Sequence, residues 1–309
     1  MRGGKLRCFS VNIMKNGYID LHIHSNFSDG KESVESIINT AIKNNTRVIS
    51  LTEHYNISSY KIARDIAEGK LEIIPGIEIG STLSSYGISK KHVCHFTAYF
   101  VNRKIYSILD KYEVYRKKSI DKIINKLNEK EIRITSGQVH RETKHDSIGR
   151  YDIAYTLFKK GYAVSPAHAY SKYLDVGSIA YVEREKMSPN DLIKTIIACG
   201  GVPILAHPKS LKFNYDDMDD FIGMLKQNGL CGIEVYNPHN SEEKREELLE
   251  LCKKYDLIPT VGSDFHSFKD NIDIGLGIDG NLKISDYSII TRLKEKKHEI
   301  DIFNKKGAG

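Results

Sequence analysis

Short apolar runs alternate with amphipathic segments along most of this chain. Runs typical of buried strands lie at residues 18–21, 47–51, 71–79, 92–100, 202–206, 232–236 and 257–261. A helical stripe, with apolar residues at i, i+3, i+4, i+7 and i+8, begins at Val34. Further helices are predicted at 189–198, 217–227 and 242–255. Alternation of strands and helices predicts an α/β fold with a parallel sheet.

The alternation breaks between residues 103 and 187. A long helical pattern begins near Ile105, a polar stretch rich in Arg, Lys and His follows, and another helical pattern starts near Arg150. We interpret residues 103–187 as a mostly helical insertion that caps the substrate. Residues 1–102 and 188–309 would then be the two parts of one barrel.

Composition limits the class of protein. The 309 residues are 40% hydrophobic and 28% charged, as in soluble globular proteins. No apolar run approaches the roughly 20 residues needed to span a bilayer, and the N-terminal stretch lacks the pattern of a signal peptide. Five scattered cysteines without a CxxC motif favour a reducing cytosol, so we expect a cytoplasmic protein. The net charge of +6 is too mild to indicate a nucleic-acid binder by itself, and no obligate protein partner is evident.

Polar side chains that bind metals recur where the predicted strands end, which is where α/β barrels place active sites. His22 and His24 form one pair and Asp264 and His266 another, each with the spacing that puts two side chains on one face of a strand. The full set of candidate metal ligands is His22, His24, Asp29, His54, Glu78, His95, His207, Asp264 and His266.

This ligand set predicts a metal centre. Mixed imidazole and carboxylate groups without cysteine favour Mn, Zn or Fe. Nine residues imply two or three divalent ions, and Glu78 is the natural bridge between them. A single histidine at a strand end is more often a structural residue, but the joint occurrence of all nine favours a metal site.

The ordered motifs DLHIHSNFSDG, TEH, PGIE, His95, LAHP and GSDFH resemble those of the PHP (polymerase and histidinol phosphatase) family. The resemblance covers the chain apart from the insertion and implies a distorted (β/α)7 TIM-like barrel with a trinuclear metal centre. It implies one site of His22, His24, Glu78 and Asp264 and a second of Glu78, His95 and His207. The third implied site consists of Asp29, His54 and His266.

Finer features resemble the nucleotide branch of the family, which includes nucleoside 3′,5′-bisphosphate phosphatases and a 5′→3′ exoribonuclease. These features are the insertion, the Gly149–Arg150 helix start and the IEVYNPH segment. Two positions depart from the family pattern: Glu53 stands where Asp is usual, and Tyr55 stands where Asp or Asn is usual.

The resemblance implies a metal-dependent phosphoesterase for a small nucleotide or a short RNA end. Asp264 is one of the ligands of the first metal site. We expect a hydroxide held between the first and second sites to attack phosphorus in line. Arg150 is the candidate cation for the phosphate, His239 is a candidate phosphate ligand or acid for the leaving oxygen, and Lys209 is a further phosphate contact.

Other functions compete with this prediction. Hydrolysis of histidinol phosphate, a sugar phosphate or a cyclic phosphate by the same family is one alternative. A non-catalytic PHP module that binds metal for structure is another, although the complete ligand set argues against it. For Arg150, the structural alternative is a solvated arginine at a helix start, and for His239 it is a loop histidine that caps backbone.

Overall fold

Parallel strands connected through helices make up much of the protein, for which we analysed a computed structural model that describes residues 17–83, 93–143, 148–183 and 185–307. The strands of this part of the chain are β1 (Tyr18–Ile23), β2 (Thr46–Leu51), β3 (Glu72–Ile73), β4 (Gly76–Thr82), β5 (Val93–Tyr99), β6 (Val202–Leu205), β7 (Gly232–Tyr236) and β8 (Ile258–Val261). The α-helices are α1 (Val34–Lys43), α2 (Ser58–Ala67), α3 (Ile105–Glu129), α4 (Ser136–Thr143), α5 (Arg150–Lys159), α6 (Pro166–Ala169), α7 (Pro189–Ala198), α8 (Tyr215–Gln227), α9 (Glu242–Lys254) and α10 (Ser288–Lys306).

Local sequence explains several element ends. The Ser33 side chain accepts a hydrogen bond from the amide of Ser36 at the start of α1, and Ser241 does the same for Lys244 at the start of α9. The predicted strand at 71–79 is two strands, β3 and β4, in different sheets. Pro75 lies between them and lacks the N–H that a continuous ladder would need.

The strands form two sheets. The first has the order β1-β2-β3 and is parallel, and the second has the order β4-β5-β6-β7-β8. Strands β6, β7 and β8 are parallel to one another, but β5 runs antiparallel to β6, so the prediction of a wholly parallel sheet is wrong at β5. Single bridges, Ile23 with Phe265 and His54 with Glu78, join the two sheets. The mixed α/β fold is confirmed, and closure into a (β/α)7 barrel stays a prediction.

The chain divides into two compact units. The first takes the described parts of residues 1–80, 94–105 and 189–309, and the second takes those of 81–93 and 106–188. Each unit has a hydrophobic core of its own, formed in the first around Ile37, Ile49 and Phe265 and in the second around Leu127 and Leu157. The predicted domain limits at residues 103 and 187, and the capping role, stay predictions. No helix in the described residues is long and apolar enough to cross a membrane.

Candidate metal centre

β1 and the segment after β8 meet in the first unit, where Ile23 pairs in parallel with Phe265. The amide of His24 donates to the Phe265 carbonyl at 2.8 Å, and the amide of Asp264 donates to the His22 carbonyl at 2.9 Å. The Nε2 atoms of His22 and His24 lie 3.1 Å apart, and each is 3.4 Å from Asp264 Oδ1.

Glu78 lies between two groups of histidines. Its Oε1 is 3.1 Å from His95 Nδ1 and 2.9 Å from His207 Nε2. Its Oε2 is 3.5 Å from His22 Nε2, 3.2 Å from His24 Nε2 and 3.1 Å from His54 Nδ1. One carboxylate therefore presents each oxygen to a different part of the site, as a bridging ligand must.

The reversal of β5 explains how His95 reaches this place. We expected the metal-binding residues at the C-terminal ends of strands, but His95 is the third residue of β5. Antiparallel pairing of Phe96 with Leu205 sets the beginning of β5 beside the end of β6, two residues before His207. The two rings therefore meet, with 3.3 Å between His95 Nδ1 and His207 Nε2.

Asp29 lies beside three of the histidines, of which only His266 has no described contact with Glu78 or Asp264 Oδ1 closer than 3.7 Å. Its carboxylate oxygens lie 3.3 Å from His266 Nε2, 3.5 Å from His54 Nε2 and 3.6 Å from His24 Nδ1.

Three sets of side chains each offer ligand atoms within 4.8 Å of one another and could hold a metal ion. The sets are His24, Asp29, His54 and His266, then His22, His24 and Asp264, and finally His22, Glu78 and His207. The grouping differs from the expected one in three respects. His24 joins the Asp29 set, and Glu78 is absent from the set of His22, His24 and Asp264. In the set with Glu78 and His207, His22 stands in place of His95. Imidazole nitrogens and carboxylate oxygens at this spacing suit divalent transition metals, so the donor set fits the expected ions.

Charge in the site is balanced between buried acids and bases. Burial alone would raise the pKa of Glu78, but His22, His95 and His54 lower it well below its ordinary value. Burial likewise opposes ionisation of Asp264, whose pKa is nevertheless lowered, chiefly by His22 and His24. Burial lowers the pKa of His54 to about 4, so this imidazole is neutral near pH 7. The lowered pKa values keep the Glu78 and Asp264 carboxylates ionised, the form in which carboxylates bind metals.

Three of the non-glycine residues with left-handed backbone lie at this site. Asp264, His207 and Tyr55 have φ values of 55°, 28° and 53°, in the left-handed region that side chains other than glycine seldom adopt. Such conformations cluster at functional sites because the surrounding structure must hold them.

Two buried carboxylates outside the nine candidate ligands lie around the site: Glu53, noted from sequence as a departure from the family pattern, and Glu234, which was missed. Glu234 Oε2 lies 2.6 Å from His22 Nδ1, and Glu53 accepts hydrogen bonds from the amide of Ser25 and the hydroxyls of Ser25 and Ser28. The signal that could have found Glu234 is a charged residue inside the apolar strand GIEVY, since a buried charge needs a partner.

Tyr55, the other departure from the family pattern, packs beside the candidate ligands. Its hydroxyl accepts a hydrogen bond from the Gly80 amide at 3.1 Å, and its ring stacks on that of His54 with 6.2 Å between centroids. A larger aromatic side chain therefore fills the position where the family has a small polar one.

A cavity of about 410 Å³ opens beside the metal-binding groups. Glu78, Asp264 and four of the histidines line one part of it, and its other lining residues are Lys209, Ser210, Asn237, His239 and Asn240. Lys209 Nζ donates to the carbonyl of His239, so these two predicted substrate residues are brought together at the cavity.

Arg150 lies in the second unit as the first residue of α5. Its guanidinium donates to the Val182 carbonyl and lies 5.0 Å from the centre of the Tyr181 ring. Its role toward a phosphate stays a prediction.

A family model described as "PHP domain" matches residues 20–180. The chain belongs to the PHP domain family. It is 28% identical over 261 residues to a 5′-3′ exoribonuclease of Haemophilus influenzae, covering 84% of this chain and 94% of the relative. It is 22% identical over 254 residues to a 3′,5′-nucleoside bisphosphate phosphatase of Chromobacterium violaceum, covering 81% and 87%.

Among solved structures, a putative metal-dependent phosphoesterase from Bifidobacterium adolescentis superimposes with a TM-score of 0.67 at 24% identity, covering 91% of this chain and 96% of that one. This likeness supports the fold. Family membership, with hydrolases among the relatives, confirms the predicted class: the protein is a metal-dependent phosphoesterase.

Proposed function

We propose that this PHP-family protein hydrolyses a phosphate ester of a small nucleotide, of the nucleoside 3′,5′-bisphosphate type, or of a short RNA end. The observation that carries the proposal is the position of Glu78. Its two oxygens face different histidine groups, and it lines a cavity large enough for a small ligand.

The nine residues serve as ligands of two or three divalent ions, Mn, Zn or Fe. His22, His24, Glu78 and Asp264 hold one ion, and Glu78, His95 and His207 hold a second. Asp29, His54 and His266 hold the third ion. The fold that carries these residues is, in this proposal, a distorted (β/α)7 barrel. Ions in such a site activate water and neutralise phosphate oxygens during phosphoryl transfer.

Side chains on the far side of the cavity bind and orient the substrate. Lys209 neutralises phosphate charge, and His239 donates a proton to the departing ester oxygen. Both residues line the cavity, which supports these roles. Arg150, from the insertion, binds phosphate through its guanidinium. The named activities of the two relatives support a nucleotide or RNA substrate over histidinol phosphate.

Phosphate release from a panel of substrates tests the proposal. The panel contains adenosine 3′,5′-bisphosphate, 5′-AMP, histidinol phosphate, a cyclic nucleotide and a 5′-phosphorylated RNA with a 3′ label, each with Mn²⁺ and with chelator. Asp264→Asn is the matched control, because Asn is nearly isosteric and tolerates the left-handed backbone at this position.

We expect metal-dependent turnover of the bisphosphate or the RNA, and a loss of at least about 100-fold in Asp264→Asn, since a lost ligand should cost at least as much as a lost outer partner. Mononucleotides leaving the 5′ end of the RNA would indicate an exonuclease, and inorganic phosphate alone would indicate a phosphatase. Turnover confined to histidinol phosphate, or none by a metal-loaded protein, would contradict the proposal.

A further inference from the structure

A carboxylate within the IEVYNPH segment, to which the sequence analysis assigned no role, contacts a fully buried candidate ligand. Glu234 Oε2 lies 2.6 Å from His22 Nδ1, and the side chains are 1% and 0% exposed. We propose that Glu234 is the positioning residue that sets the tautomer and orientation of His22. This inference rests on the proposed metal-dependent function and goes beyond it by assigning a residue outside the nine ligands.

The geometry at His22 allows one useful arrangement of the ring proton. Nδ1 faces Glu234, while Nε2 faces the Nε2 of His24 at 3.1 Å and Asp264 Oδ1 at 3.4 Å. When Nδ1–H donates to Glu234, the lone pair of Nε2 is left to point at the metal position. A carboxylate on the outer nitrogen of a metal-binding histidine fixes the ring and increases its basicity.

The Glu234 carboxylate is itself held in place. Its Oε1 accepts a hydrogen bond of 2.7 Å from Asn237 Nδ2, and Asn237 Oδ1 accepts one of 2.9 Å from the amide of His239. Asn237 and His239 both line the cavity. Glu234 therefore links a candidate metal ligand to the wall that we assign to substrate binding.

The His22 and Glu234 side chains are closely packed against Gly262. A Cβ added to Gly262 would lie 2.3 Å from His22 Cβ and 2.9 Å from Glu234 Oε2. A buried carboxylate is a weak source of stability, because its burial costs free energy that its hydrogen bonds must offset. The presence of Glu in β7 is therefore explained by its effect on His22 more readily than by stability alone.

Metal binding by three purified proteins tests the inference. Wild type, Glu234→Gln and Asp152→Asn are stripped of metal, checked for folding by circular dichroism and titrated with Mn²⁺ by calorimetry. Asp152 is a matched control because it is also a buried carboxylate, but its Oδ2 accepts from the Gly149 amide in the second unit.

We expect Glu234→Gln to bind at least one ion 10- to 100-fold more weakly, the usual effect of losing an outer partner. Turnover at saturating substrate should fall as well, because the variant would hold the ion less firmly. Asp152→Asn should stay within about threefold of wild type in metal affinity, because Asp152 belongs to the second unit and the nine candidate ligands to the first. Unchanged affinity and stoichiometry in Glu234→Gln would overturn the inference.

A spectroscopic measurement covers the case in which Glu234→Gln does not fold. A long-range ¹H–¹⁵N spectrum of the Zn²⁺-loaded wild type, with the His22 signal assigned from His22→Gln, should show the proton on Nδ1. A proton on Nε2 would overturn the inference. If the wild-type protein binds no metal at all, the proposed function fails first and the inference with it, which separates the two failures.

Discussion

The Glu78 carboxylate remains ionised in a buried position because imidazoles surround it. A lone carboxylate there would take up a proton, since burial disfavours charge. The histidines reverse that effect and lower the pKa of Glu78. A bound metal ion would also stabilise the ionised carboxylate, and with a larger positive charge. The histidines that lower the pKa of Glu78 are therefore the same residues that would bind the ion.

Glu53 is a single-residue departure with a visible consequence. Its carboxylate accepts from the Ser25 amide at 3.1 Å and from the hydroxyls of Ser25 and Ser28, which lie on the loop between His24 and Asp29. The family's usual Asp is one methylene shorter. We predict that Glu53→Asp leaves buried donors without their acceptor and lowers the free energy of unfolding by about 1–3 kcal/mol.

Urea unfolding of the metal-free protein measures this change. Glu250→Asp removes the same methylene from an exposed position on α9 and should change stability by no more than about 0.5 kcal/mol. Equal stability of Glu53→Asp and wild type would show that the loop does not depend on the longer side chain.

Eight of the nine candidate ligands could be predicted from sequence because they belong to short local motifs, and His95 because it lies in an apolar run. Their outer partners could not, because the effect of Glu234 depends on which residue the neighbouring strand places against it. His22 and Glu234 are 212 positions apart, and only the packing of β1 against the sheet that contains β7 shows that they meet.

At the scale of elements, apolar patterns predicted most strands but not their direction. The run that became β5 gives no sign of its antiparallel pairing, which depends on the path of the chain around it. Helix α2 was missed because the residues it buries, Ser59, Ala63 and Ala67, are too small to form an apolar stripe. Helix α10 has a weak apolar pattern, since six residues separate the buried Leu293 and Ile300.

The end of β8 allows a test of how closely the elements of the site are packed. Gly262 follows β8, and a side chain there would overlap His22 and Glu234. We predict that Gly262→Ala lowers the free energy of unfolding by about 1–3 kcal/mol, as overpacking does in a well-filled interior.

Thermal or urea unfolding without metal isolates this packing effect from ion binding. Gly137→Ala is the control, because its added Cβ would meet only the end of the Arg141 side chain, at 3.6 Å, and it should shift stability by less than about 1 kcal/mol. A Gly262→Ala protein as stable as wild type would mean that the His22 and Glu234 backbones can move apart at little energetic cost.

At the scale of the whole molecule, the nine candidate ligands and Glu234 belong to the first unit, whereas Arg150 belongs to the second. Sequence predicted an interruption of the barrel pattern by helices but could not show which residues each unit would bury. The second unit has its own core, with Ile123 and Leu174 both fully buried, and none of the nine candidate ligands belongs to this unit.

This separation predicts where metal will slow hydrogen exchange. A ligand that binds only the folded site reduces opening of that site by the factor 1 + [L]/Kd, so Mn²⁺ at 100 times its Kd should slow exchange there by about 100-fold. We expect this protection in peptides from β1, β4, β7 and the segment after β8, measured by mass spectrometry with Mn²⁺ and with chelator. Peptides from α5 should change little, because their hydrogen bonds and core lie in the second unit.

Protection of α5 as strong as that of β1 would show instead that the ions stabilise both units together, and the insertion would then have to be treated as part of the metal-dependent fold.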